Sequence, residues 1–388
     1  MISFDNTEIA FRSKSDTDLK RSYLLFKTLS HNSIVRLGGS LTQSAIKMHI
    51  PVNWIVKPTI YKQFVGGETI VECSPTVRNL EEYHVKAILD FSVEGKESDE
   101  EIKAALLETL KSIDNASKDA NIPFAVFKPT AFTRTEILEK VSAGQSLSKE
   151  ESLEADRFRS RIETLCHAAH QNNTPILIDA EDSWYQPFID EVVEAMMIKY
   201  NTEQAIVFNT FQMYRHDRLD FLKQSYKKAT EGNYFLGAKF VRGAYMEKER
   251  ERAKEMGYPS PIQPEKESTD RDYNAALKFC IDHLDRIVIF NGTHNEYSSN
   301  YLSQLIEEKG LAKDDQRVWF SQLYGMSDHI SFNLAHAGFN VAKYVPYGPV
   351  EHVIPYLVRR AEENTSVKGQ TSRELSLISR EMSRRKGR

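Results

Sequence analysis

The segment Phe235-Leu236-Gly237-Ala238-Lys239-Phe240-Val241-Arg242-Gly243-Ala244-Tyr245 carries more of the architecture than any other part of the chain. Its first part is apolar and β-prone and reads as a buried strand. Arg242-Gly243 closes that strand just before the charged run Met246-Glu247-Lys248-Glu249-Arg250-Glu251-Arg252, which reads as a helix. A cation followed by glycine at a strand-to-helix junction lets backbone N–H groups and a fixed charge approach an anionic ligand. Taken alone, the same residues make an ordinary turn.

Outward from this strand the pattern repeats. Short apolar runs occur at Val85–Phe91, Phe124–Lys128, Ile176–Ala180, Ala205–Asn209, Ile287–Asn291, Val318–Ser321 and Val341–Val345. Helical patterns separate most of them: Glu100–Ser112, the stripe Phe158, Ile162, Leu165, Cys166 and Ala169, Ile189–Ile198 and Asp272–Leu284. Ser148-Lys149-Glu150-Glu151 has the form of a capping box opening the striped helix. The charged helix after Tyr245 carries opposite charges three apart and meets a stop at Gly257 with Pro259 beyond, so its charges read as a solvated face. Eight buried strands alternating with helices predict an α/β chain folded as a distorted (βα)8 barrel, with a doubly wound open sheet as the alternative. No Gly-x-Gly-x-x-Gly follows any strand, which argues against a Rossmann unit. The long stretch from Ala131 to Asn173 predicts an extra helix after the second strand.

Residues 1–80 read as short helices forming a cap, with stripes at Leu19, Tyr23, Leu24, Phe26 and Leu29 and at Ser40–Met48. Residues 81–370 hold the barrel, and 371–388 a helical, basic tail. Lys+Arg 51 against Asp+Glu 55 leaves a net charge of −4, so nothing in the balance suggests nucleic acid. With 40% hydrophobic and 27% charged residues the composition is that of a soluble globular protein. Cys73, Cys166 and Cys280 lie far apart without a CxxC pair, which fits a reducing compartment and not a zinc or disulfide framework. The N-terminus lacks the features of a leader, and no run reaches the roughly 20 apolar residues of a spanning helix. The expectation is a cytoplasmic protein, at most peripheral on the inner face of a membrane. The basic end Ser383–Arg388 reads either as a solvated, disordered tail or as a contact for an anionic surface.

Polar residues gather where the strands end: Lys128, Asp179 and Glu181, Gln212, Arg242, Thr293-His294-Asn295, Gln322 and Tyr344. In barrels these ends converge on one mouth. Individually each stays open. Lys128 suits a Schiff-base amine, an anion ligand or a rim cation. Asp179 and Glu181 suit a metal or basic neighbours, and His294 lacks companion histidines. Arg359-Arg360 point about 100° apart on a helix. They suit bidentate capture of a carboxylate, or a solvated pair balanced by Glu362 and Glu363. Pro355 starts or kinks that helix.

In order along the chain, Lys239–Tyr245, Thr269-Asp270, Thr293-His294-Asn295, and Tyr344-x-Pro-x-Gly-x-x-Glu351 leading to Tyr356-Leu357-Val358-Arg359-Arg360 resemble the proline dehydrogenase family. The resemblance covers about residue 60 to residue 368 and points to the monofunctional, eukaryote-like branch. It implies FAD at the strand C-termini, with L-proline as substrate. A hydride passes to flavin N5, giving Δ1-pyrroline-5-carboxylate in the first step of proline catabolism, and electrons then go to a membrane quinone. Arg359 and Arg360 match the pair that holds the proline carboxylate, with Lys128 assisting and Asp179 positioning these cations. Tyr344, Tyr356 and Leu323 match residues packing on the ring, and Tyr245 a tyrosine beside it. Gln212 and Lys239 match groups near the isoalloxazine. Arg242, Gly243 and Ala244 match phosphate and backbone contacts. Lys266, Thr269, Thr293, His294, Glu363 and Ser366 match further FAD contacts. The resemblance implies no metal. Lys239 stands where bifunctional members carry arginine, and Met246 where they carry tryptophan. Tyr344 implies preference for proline, since a ring hydroxyl would crowd the phenol. The other readings are a hydroxyproline-oxidising relative, or a barrel lyase or hydrolase using a Schiff base at Lys128 or a metal at Asp179, Glu181 and His294.

Overall fold

A computed structural model describes residues 2–30, 53–92, 98–366 and 370–387. Among them eight strands follow one another: β1 (Lys86–Phe91), β2 (Ala125–Phe127), β3 (Ile176–Ile178), β4 (Val207–Gln212), β5 (Leu236–Val241), β6 (Ile287–Gly292), β7 (Val318–Leu323) and β8 (Val341–Tyr347). Besides short helical turns at Asn53–Val56, Lys57–Tyr61, Lys62–Phe64 and Pro129–Ala131, the helices are α1 (Thr7–Ala10), α2 (Asp16–Leu29), α3 (Ile70–Glu81), α4 (Asp99–Lys118), α5 (Thr135–Ser142), α6 (Lys149–Gln171) and α7 (Gln186–Tyr200). They continue as α8 (Arg218–Glu231), α9 (Met246–Met256), α10 (Lys266–Asp282), α11 (Glu296–Glu308), α12 (Asp328–His336), α13 (Val350–Ser366) and α14 (Gln370–Lys386).

The strand order is β1-β8-β7-β6-β5-β4-β3-β2. The first strand stands beside the last, and every other neighbour is consecutive in sequence. That is the order of a (βα)8 barrel; a doubly wound sheet reverses at a switch point. By compactness the chain divides into one unit of Val93–Ser321 and another of Ile2–Ser92 with Gln322–Arg388.

In the first unit every residue of β4 is buried, as parallel strands covered on both faces require. The Phe124 ring meets Phe208, Phe290 and Trp319 edge-on at 5.7, 5.1 and 5.2 Å between centroids. Gly237 lets β5 lie close to β4, because a Cβ there would stand 2.4 Å from the Val207 carbonyl oxygen. Two helices, α5 and α6, fill the predicted insertion after β2, and α6 opens with the Ser148/Glu151 capping box. Its stripe, Phe158, Ile162, Leu165, Cys166 and Ala169, is buried. Helix α9 ends at Gly257, whose φ of 72° is left-handed.

In the second unit β1 pairs with β8 in parallel, from Lys86↔Ala342 to Phe91↔Tyr347. A core of Leu19, Phe26, Phe64, Val353, Leu357 and Leu377 joins α2, α13 and α14. Leu24 departs from the predicted stripe and is 63% exposed. Five residues beyond Leu19, it points about 140° away from it. The predicted stripe at Ser40–Met48 lies outside the described residues. Helix α13 runs through Pro355, which is exposed, so the carbonyl that loses its N–H partner is on the solvent side.

The basic end is neither a disordered tail nor a set of unengaged cations. It is the last turn of α14, where Arg384 and Arg385 each bind Glu381 at 2.8 Å. Arg385 also reaches Asp16 at 2.9 Å, and Arg373 reaches Asp5 at 3.0 Å. Opposite charge on α2 and the N-terminal segment explains the docking. Among the described residues no helix is long and apolar enough to cross a membrane.

Candidate active site

In the first unit the register Phe127↔Ile178 makes Lys128 and Asp179 the first residues past the ends of adjoining strands. The Asp179 N–H donates to the Phe127 carbonyl at 3.0 Å, which fixes the aspartate at the strand end. Its side chain meets two cations: Lys128 Nζ lies 3.5 Å from Oδ2, and Lys239 Nζ, from inside β5, donates to Oδ1. The carboxylate thus sits between two ammonium groups among partly buried side chains, and the chain itself holds these charges in place. Gln212 is the last residue of β4, where a following position was expected. It is 2% exposed, and among the described residues its Oε1 has no hydrogen-bond partner.

A second cluster follows β5 and β6. The Arg242 guanidinium donates Nε and Nη2 to Asp270 Oδ1 at 2.9 and 2.6 Å, Nη1 to Thr293 Oγ1 at 2.6 Å, and Nη2 to Ser298 Oγ at 3.0 Å. It also lies 4.4 Å from the Tyr273 ring centre. Lys266 donates to the other oxygen of Asp270. Burial pushes the Asp270 carboxyl up, but hydrogen bonds from Lys266 and Arg242 prevail and hold it below the usual range. Gly243 has φ 131°, and a Cβ there would stand 2.5 Å from the Tyr214 ring, so only glycine fits. Ala244 is exposed beside it. Thr269 is buried on the first turn of α10. Thr293 and His294 form the turn into α11, capped by Asn295 accepting from Ser298 N–H at 2.9 Å.

β3 ends at Ile178, so Asp179 and Glu181 belong to the turn after it and strand alternation does not pair them. Glu181 accepts from Thr130 Oγ1 at 2.8 Å and from Tyr245 Oη at 3.3 Å. Its N–H donates to Gln186 Oε1 at 2.8 Å, and Gln186 in turn donates to Asp190, the buried partner of Arg218. Among the described residues no three His, Cys, Asp or Glu side chains stand together as a metal site would need. Asp270 and Glu249 were missed as organising residues. The charge run containing Glu249 is not simply a solvated face, since Glu249 is 0% exposed and Arg252 reaches across to Glu139.

In the second unit Tyr344 does not close its strand; β8 continues to Tyr347. Tyr344 and Tyr356 are buried, and Leu323, at the end of β7, packs on the core that contains Tyr356. The Arg360 guanidinium lies 5.2 Å from the Tyr356 ring centre, an i, i+4 pair on α13 that holds the arginine by cation–π contact. Arg360 is buried and Arg359 half-buried, so the two are not a fully solvated pair. Glu363 and Ser366 are on the last turns of α13, and their side chains lie outside the described residues.

The first unit's residues fit FAD. Gln212 offers a buried acceptor that no group among the described residues satisfies, suited to a ring N–H. Arg242 and Lys266, sharing one aspartate, leave positive charge for a diphosphate beside the glycine-bearing turn.

A (βα)8 strand order with polar and basic groups gathered where strands end is the arrangement of a barrel enzyme. The proline dehydrogenase family model matches residues 73–373, and the chain belongs to that family, oxidoreductases that act on proline. It is 34% identical over 322 residues to the carbapenem antibiotics biosynthesis protein CarD of Pectobacterium carotovorum, covering 83% of each chain. It is 31% identical over 426 residues to the mitochondrial proline dehydrogenase 1 of Dictyostelium discoideum, covering 98% of this chain and 74% of that one. In structure it resembles proline utilization A of Bdellovibrio bacteriovorus, solved after inactivation by N-propargylglycine. The TM-score is 0.72 at 19% identity over 93% of this chain, which spans 38% of that longer protein.

Proposed function

We propose that this chain is an FAD-dependent L-proline dehydrogenase that yields Δ1-pyrroline-5-carboxylate and delivers electrons to a membrane quinone. The observation that carries this reading is Asp179 bridging Lys128 and Lys239. It supports an anion-binding centre whose cations are held in fixed places by the chain itself.

Bound FAD supplies the acceptor for the hydride from the ring carbon next to nitrogen. The protein's part is orientation. Arg359 and Arg360 bind the substrate carboxylate, with Lys128 as a further cation. Asp179 restricts where the two lysines can stand. Tyr344, Tyr356 and Leu323 pack on the ring, and Tyr245 stands beside it. Gln212 and Lys239 bind the isoalloxazine edge; Arg242, Gly243 and Ala244 bind the diphosphate. Lys266, Thr269, Thr293, His294, Glu363 and Ser366 complete the cofactor contacts. Tyr344 disfavours a hydroxylated ring. A quinone acceptor calls for peripheral contact with a membrane face.

The test is turnover of L-proline with a water-soluble quinone as acceptor, the cyclic imine product being trapped with an ortho-aminoaldehyde. Quinone-dependent imine formation is expected. No imine from proline, or equal kcat/KM for 4-hydroxyproline, would contradict the assignment.

A further inference from the structure

The turn between β3 and α7 is fastened to the start of α9 at successive residues. Glu181 accepts from Tyr245 Oη at 3.3 Å, and Asp182 Oδ2 pairs with Lys248 Nζ at 2.7 Å. Ser183 donates its N–H to Glu249 Oε1 at 2.6 Å and its hydroxyl to Oε2 at 2.5 Å. Trp184 then lies under the Arg252 guanidinium, 4.3 Å from its ring centre. At the base of this turn stands Asp179, and at the head of α9 stands Tyr245. The turn and helix therefore carry a site residue each, and four contacts set the distance between them.

Glu249 is unusual among the four because it is wholly buried. Burial pushes its carboxyl up and the neighbouring Asp182 adds to that, while Ser183 and Arg215 oppose it. The net direction is upward, so the partners offset the cost of burial only in part, and Ser183 supplies that offset through two short hydrogen bonds, one to each oxygen. An ordinary staple could be made from apolar residues. A carboxylate satisfied at both oxygens fixes one backbone N–H and one side chain in a single orientation.

We propose that Glu249 is a positioning residue for proline: by holding Ser183 through both oxygens it fixes the Asp179–Ser183 turn against α9, and so sets Asp179 relative to Tyr245. This rests on the proposed proline dehydrogenase function. Nothing in the charge run around Glu249 marks it, since neighbouring glutamates of α9 are exposed.

The test is Glu249→Gln in the FAD-loaded full chain, read in two independent ways. A carboxamide has one acceptor oxygen, so it can take only one of the two Ser183 donors and turns its NH2 on the other. Amide hydrogen exchange over residues 181–185 should quicken about tenfold, as loss of a charged hydrogen bond implies. The KM for L-proline should rise several-fold with kcat and flavin content little changed. Binding of tetrahydrofuran-2-carboxylate, which has ring oxygen in place of nitrogen, should weaken in parallel. Ser183→Ala should repeat both effects and Ser183→Thr should restore them, which covers the case in which Glu249→Gln fails to fold. Unchanged exchange in the turn overturns the proposal. So does faster exchange with KM and ligand affinity unmoved, since Glu249 would then only staple the fold. Failure of the wild-type protein to oxidise proline is a different result, seen before any variant is made, and counts against the proposed function.

Discussion

Asp179 holds Lys128 with one carboxylate oxygen, at 3.5 Å, and Lys239 with the other. The two lysines come from different strands, so the aspartate fixes the separation of two cations that would otherwise repel each other. In Asp179→Asn the ammonium groups swing apart, and orientation suffers more than binding. We expect kcat/KM for L-proline to fall roughly 10- to 150-fold, the equivalent of ~1.5–3 kcal/mol. FAD absorbance per chain should be retained. Steady-state rates with a quinone acceptor check this, and an unchanged kcat/KM would remove Asp179 from the account.

Arg359→Met takes one guanidinium from the substrate carboxylate. Arg359 is half-buried on α13, next to Arg360 packed on Tyr356. The KM for proline should rise by the same roughly 10- to 150-fold, with flavin kept. Initial-rate kinetics decide it; an unaltered KM would show that the carboxylate is held elsewhere.

Arg242→Lys keeps the charge and loses the fork. An ammonium group cannot reach Asp270, Thr293 and Ser298 in the planar geometry that the guanidinium uses. The expected outcome is loss of FAD on gel filtration, measured as the ratio of visible to ultraviolet absorbance, at little change in thermal midpoint. Full flavin retention would argue that Arg242 serves only α10 and α11.

Asp328 is the counterpart in the second unit, buried between Lys343 at 2.8 Å and Lys14 at 3.2 Å. Burial pushes its carboxyl up, but Lys343 and Lys14 overcome that and hold it at about 2, against 3.8 for a free aspartate. A depressed acid contributes stability that is complete above its unfolded value and vanishes as pH falls through its folded value. The contribution should therefore fade between 3.8 and about 2. Asp328→Asn removes the counter-charge of buried Lys343 and half-buried Lys14 and should cost about 3–5 kcal/mol at neutral pH. Urea melts at neutral and acidic pH test both statements, and the variant's penalty should shrink across that window.

The strands were legible because parallel strands covered on both faces are nearly continuous apolar runs, and all eight runs form strands. Their ends were less so. Asp179 lay inside the third apolar run, Ile176–Ala180, yet β3 stops at Ile178, and β8 runs past Tyr344. Hydrogen bonding to neighbours sets such limits, and apolar pattern alone does not. Glu249 was invisible for a similar reason. Its three-residue spacing to Arg252 suits a solvated helix, whereas its hydrogen-bond partner in the fold is Ser183, 66 residues away. Asp270 lay in a quoted motif, but its role as shared counter-ion depends on Arg242 and Lys266 arriving from either side. The basic terminus read as a tail because the acids that receive it, Glu8 and Asp16, are at the opposite end of the chain.

The central claim is that proline reduces a flavin held by this chain. The direct measurement is the visible spectrum of the purified protein, loaded with FAD, before and after L-proline is added without oxygen. The account predicts flavin bands that bleach on addition of proline and return when a quinone is supplied. Bands that persist with proline, or a protein that cannot take up FAD, would contradict it.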